Sequence, residues 1–166
     1  VVIWLFGVAA LVFTMVVVGG ITRLTGSGLS MVEWRPLMGI LPPMTNAEWN
    51  RVYALYQASP EYIHINVDMD LNGFKTIFFW EYVHRVLGRL IGLAFAVPLF
   101  VFALKKMVPQ GFGLRLSILL VMGGMQGVIG WWMVKSGLVN DPEVSQYRLA
   151  THLSMALIIL GLLVWT

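Results

Sequence analysis

The sequence predicts an all-α polytopic membrane protein folded as a four-helix transmembrane bundle, and three observations predict it. Of 166 residues, 58% are hydrophobic and 11% charged, with a mean hydropathy of +0.80; soluble domains carry about 25% charged residues. Four apolar runs are each long enough to cross a hydrocarbon core of about 30 Å, which takes roughly 20 helical residues at 1.5 Å rise. The third run carries no charge, and the second carries charges only in its first half.

The same composition excludes several functions. The net charge of +3 is small and scattered, without the clustered basic face a nucleic-acid partner requires. With no cysteine, the chain has no disulfides, zinc–thiolate sites, iron–sulfur clusters or covalently attached c-type heme.

In chain order, the first span is expected at about 1–20. The Gly19-Gly20-Ile21-Thr22-Arg23 that follows is not a small-residue cleavage site, so this run reads as a span rather than a signal peptide. A long link, 21–73, comes next. Within it Thr45-Asn46-Ala47-Glu48 fits a capping box, and Trp49, Val52, Tyr53 and Tyr56 repeat at i, i+3, i+4, i+7 before Ser59-Pro60 ends the pattern. The pattern describes a short aromatic-faced helix, lying either on the membrane surface or on the protein's own end. The second span is expected at about 74–104, the third at about 116–134 and the fourth at about 147–166. Lys105, Lys106 and Arg115 flank the link between spans two and three with no acid beside them. The positive-inside rule puts that link in the cytoplasm or mitochondrial matrix, and 21–73 and the link around Asn140-Asp141-Pro142-Glu143 on the outer side. Both ends of the sequence fall inside apolar runs, so a piece of a longer chain is expected.

Ionisable side chains inside a bilayer are costly and mark functional sites. Glu81, His84, Arg85 and Gly88 fall at i, i+3, i+4, i+7 and share one face of span two. On span four, His152 stands with Arg148 one turn before it and Ala156 one turn after. Both spans enter from the outer side, and counting residues puts the two histidines within roughly 8 Å in depth. Two helical histidines at similar depth suit bis-histidine ligation of heme iron. Gly88 and Ala156 leave room for a flat macrocycle, and Arg23, Arg85, Arg89 and Arg148 lie at the depth of heme propionates. The plainer reading of span two is an ion pair and a hydrogen-bonded histidine joining helices. Gly123, Gly127 and Gly130 of span three form a small-residue packing stripe. Trp131 and Trp132 sit at its outer end, and the methionines read as bundle filler. His64, beside Asp68 and Asp70, is expected in solvent.

Two blocks of sequence carry a family resemblance. The run Gly19-Gly20-Ile21-Thr22-Arg23-Leu24-Thr25-Gly26-Ser27-Gly28-Leu29-Ser30, with Trp34, Pro42-Pro43 and Trp49 after it, resembles the first-span exit and outer loop of heme A synthases. Glu81-Tyr82-Val83-His84-Arg85, continuing to Gly88-Arg89, is similar to that family's glutamate–histidine–arginine motif, and His152 to the second histidine of the same half. The absence of cysteine is similar to the alphaproteobacterial and mitochondrial branch. The resemblance implies two pseudo-repeated four-helix bundles, of which this chain is the amino-terminal one and the carboxy-terminal one is absent. It implies an oxidoreductase that converts the position-8 methyl of heme O to a formyl group, with oxygen from water, giving heme A for cytochrome oxidase. On that pattern His84 and His152 hold the substrate heme O, heme B belongs to the other half, and Glu81 is the catalytic carboxylate. Burial and Arg85 pull on the Glu81 proton in opposite senses, and base, nucleophile and structural ion pair all stay open. Implied partners are heme O and heme A, membrane lipid, heme O synthase, oxidase assembly factors, an electron-transfer partner and a second copy of the chain. The location implied is a bacterial inner membrane or the mitochondrial inner membrane. Alternatives are a bis-histidine b-type cytochrome for electron transfer and a heme-holding assembly factor without chemistry.

Overall fold

A computed structural model describes residues 1–33, 41–139 and 142–166; Trp34 of the loop block and Asn140-Asp141 of the last link lie outside the described residues. Among the described residues, six helices follow in order: α1 Val2–Leu24, α2 Asn46–Gln57, α3 Pro60–His64, α4 Leu71–Leu104, α5 Phe112–Gly137 and α6 Gln146–Trp165. The chain is all-α among the described residues. α1, α4, α5 and α6 are each long and apolar enough to span a membrane, and they coincide with the four expected spans. Some ends lie further out. α1 runs through Gly19-Gly20 to Leu24 and α5 covers Phe112–Gly137, since glycine is well tolerated in membrane helices.

α4 is the longest element at 34 residues, about 51 Å at 1.5 Å per residue, so its first turns rise past the bundle. Asp70 caps it, its Oδ1 accepting the Gly73 N–H at 2.8 Å. Those first turns meet α2, where Tyr56, Phe74, Ile77 and Phe78 are buried and Trp49, Val52 and Tyr53 pack against them. The aromatic face of α2 therefore covers the protein's own end. The expected capping box is present in altered form: Thr45 Oγ1 accepts the Glu48 N–H at 3.2 Å, while Glu48 takes the N–H of Met44, at 3.0 Å, one residue before the cap. Ser59-Pro60 ends α2 and also starts α3, with Ser59 as N-cap and Pro60 in the first turn, where its missing N–H costs nothing.

α1 packs on α4 and α6, and α5 packs on α6 and more loosely on α4, so α4 and α6 stand at opposite corners. Pro98 lies inside α4 and leaves the carbonyl of Ala94, four residues earlier, without its helical donor. The Trp4 indole N–H of α1 supplies one at 2.7 Å. The half of the bundle away from the 25–70 loop has a close-packed core of Leu5, Val8, Ala9 and Val12 with Phe95, Leu116, Leu119, Ile159 and Leu163.

Candidate functional site

The loop-end half of the bundle is built differently. Between the aliphatic core and the aromatic cluster under α2, no apolar side chain of the four described spans is fully buried. At that level glycines meet side chains of neighbouring helices. On α1, Met15 and Gly19 lie at i, i+4; a Cβ on Gly19 would sit 3.2 Å from Nε2 of His84, and one on Gly88 would sit 3.3 Å from Cε of Met15. The shared face of α4 is thus turned to α1, and Gly88 packs on Met15. Across the bundle, a Cβ on Gly130 of α5 would lie 2.9 Å from Cε1 and 3.5 Å from Nδ1 of His152. His152 Nδ1 is buried with no hydrogen-bond partner. The two histidines stand on opposite-corner helices of the bundle. Each imidazole is backed by a glycine on a neighbouring helix.

Glu81 is held from several sides. It is buried; its Oε2 accepts from Ser30 Oγ and the Met31 N–H, each at 2.7 Å, and its Oε1 accepts a short bond from Nη2 of Arg85 one turn on. The same nitrogen donates to the Met31 carbonyl at 3.1 Å. These contacts pin the segment after α1 over the bundle end. That segment is folded on itself through Ser27 N–H to Thr22 carbonyl at 2.9 Å and Ser30 Oγ to Ser27 carbonyl at 3.1 Å. Leu29 is buried and reaches the far side, where a Cβ on Gly137 would fall 2.6 Å from its Cδ1.

Of the four arginines expected near propionates, Arg85 is committed to Glu81 and Met31, and Arg148 donates to the Trp132 carbonyl at 2.8 Å with its guanidinium 4.5 Å from the Trp132 ring centre. Arg23 is exposed in the last turn of α1, and Arg89 is half-buried one turn below Arg85. His64 is exposed, as expected. Among the described residues no group of three or more His, Cys, Asp or Glu is gathered to hold a metal ion; heme iron asks only two axial ligands of a protein.

Some residues were not singled out from sequence. Gln126 of α5 donates from Nε2 to the His152 carbonyl at 2.9 Å, and its Oε1 is buried without a partner. An amide in an otherwise charge-free span was the available signal. Gly130 backs His152 rather than only packing helices. Glu61 of α3 is buried, and burial pushes its carboxyl up to about 7, against a bond from Tyr56 and with a smaller push from Glu81.

Residues 2–166 match the family described as cytochrome oxidase assembly protein (COX15-CtaA). The chain is 58% identical over 163 residues to the heme A synthase of Parvibaculum lavamentivorans, covering 98% of this chain and 47% of that protein. It is 54% identical over 163 residues to the heme A synthase of Nitrosospira multiformis, covering 98% and 46%. With the heme A synthase of Caulobacter vibrioides the identity is 51% over 164 residues, covering 99% and 48%. The chain spans about half the length of these curated relatives. No solved structure matches.

Proposed function

This chain belongs to the cytochrome oxidase assembly protein family, and from that premise we propose that it is the substrate-holding half of a heme A synthase, a multi-pass membrane oxidoreductase. His84 and His152 hold heme O between α4 and α6, while its position-8 methyl is oxidised to a formyl group; heme B sits in the other half. The observation that carries the reading is the loop-end interior itself. Two histidines on opposite-corner helices are each backed by a glycine, and one has an unpartnered buried nitrogen, at the level where the aliphatic core stops. The loop carrying Ser27, Leu29 and Ser30 lies over that end and limits water.

Turning a methyl into a formyl group takes one oxygen from water and releases four electrons and four protons. A carboxylate near the methyl can accept such protons, and Glu81, one turn from His84, is the candidate. Both its oxygens accept hydrogen bonds, Oε2 from Ser30 and Met31 and Oε1 from Arg85. That clamp supports a second reading, in which Glu81 anchors the loop and touches no reacting atom. Glu81→Gln in the full-length protein separates them, because the amide oxygen still accepts from Ser30 and Met31. A catalytic Glu81 retains heme and stops heme A formation; an anchor retains both. Electrons leave to a partner acceptor, and the Lys105, Lys106 and Arg115 end faces the cytoplasm or matrix.

A further inference from the structure

We infer that Gln126 is a positioning residue for His152. The inference rests on the reading of His152 as an axial ligand. Gln126 and His152 are already joined by one hydrogen bond, from the amide Nε2 to the His152 carbonyl at 2.9 Å. The same two side chains carry complementary orphans, an acceptor at Gln126 Oε1 and a nitrogen at His152 Nδ1, both buried and without partners. Gly130, one turn along α5 from Gln126, lets the ring lie directly on that helix. A carboxamide presents donor and acceptor side by side, so with heme bound Oε1 would accept the Nδ1–H while Nε2 keeps the carbonyl. That bond fixes the tautomer with Nε2 free to ligate, sets the ring's orientation and makes the imidazole a stronger donor to iron.

A stronger imidazole donor favours ferric over ferrous iron, so loss of the bond should raise the heme reduction potential. The test is a redox titration of heme O bound to full-length protein with Gln126→Met, which removes the amide at constant length, and Gln126→Glu, which keeps an acceptor oxygen. Gln126→Met should raise the potential and weaken heme binding about 10-fold; Gln126→Glu should restore binding and leave the potential at or below wild type. No shift in Gln126→Met, the same upward shift in both variants, or loss of heme from both overturns the assignment. His152→Ala in parallel separates the two failures: if it leaves the low-spin spectrum intact, the ligand reading fails rather than the role of Gln126.

Discussion

A methyl group at position 130 would lie 2.9 Å from Cε1 of His152, and one at position 19 would lie 3.2 Å from Nε2 of His84. The first distance forces the ring to move; the second asks it to give a few tenths of an ångström. Gly130→Ala should therefore cost about 1–3 kcal/mol through overpacking and reduce low-spin heme, with Gly19→Ala milder. Gly124→Ala, where a Cβ meets nothing within 4 Å, is the control, and heme absorbance of the three purified variants checks the order. Glu61 gives a pH-dependent prediction. Its folded value of about 7 lies above the ordinary 4.5, so the folded state binds the extra proton between those values. Stability present below about pH 4.5 is lost as pH rises through 7. Glu61→Gln should match wild type near pH 4 and exceed it at pH 8, read by hydrogen exchange across α2 and α3. None of this pairing was visible in sequence. Glu61 carries no motif in the sequence and Gly130 reads as a packing residue, because what each side chain meets is decided by residues elsewhere in the chain.

At the scale of the element, Trp4 and Pro98 form one device. Proline frees the Ala94 carbonyl and the indole of α1 satisfies it. Trp4→Phe should cost about 1–2 kcal/mol. In a Pro98→Ala background, where the restored backbone N–H at that position can reach the Ala94 carbonyl, the same change should cost less. Denaturation in detergent of the four variants measures the coupling. The spans themselves were legible, since a 20-residue apolar run in a chain this poor in charge has few other uses. The helix ends were not. α1 continues past Gly19-Gly20 because a membrane helix has no better place for those backbone groups. Ser59-Pro60 read as a stop and proved to be a stop and a start, since one Ser-Pro pair suits both.

Across the whole molecule, the bundle divides into an aliphatic half that holds the helices together and a loop-end half in which Glu81 is buried and both histidines pack against glycines. Counting residues puts His84 and His152 within roughly 8 Å in depth, and residue spacing puts Glu81 on the face of His84. It could not tell that Glu81 would be turned into the loop and clamped, because Ser30 and Met31 lie 50 positions or more away in the chain. The clamp makes the loop and the site one unit, so Ser30→Ala, which removes one donor to Glu81, should loosen the loop while leaving both histidines in place. The central claim is that His84 and His152 together hold one heme. It is tested most directly by counting hemes per full-length protein, and identifying each by extraction, in wild type, His84→Ala and His152→Ala. Each variant should lose the same single heme, of the O or A type, and keep heme B; unchanged heme content and an unchanged low-spin spectrum in either variant would show that the two histidines do not share one heme.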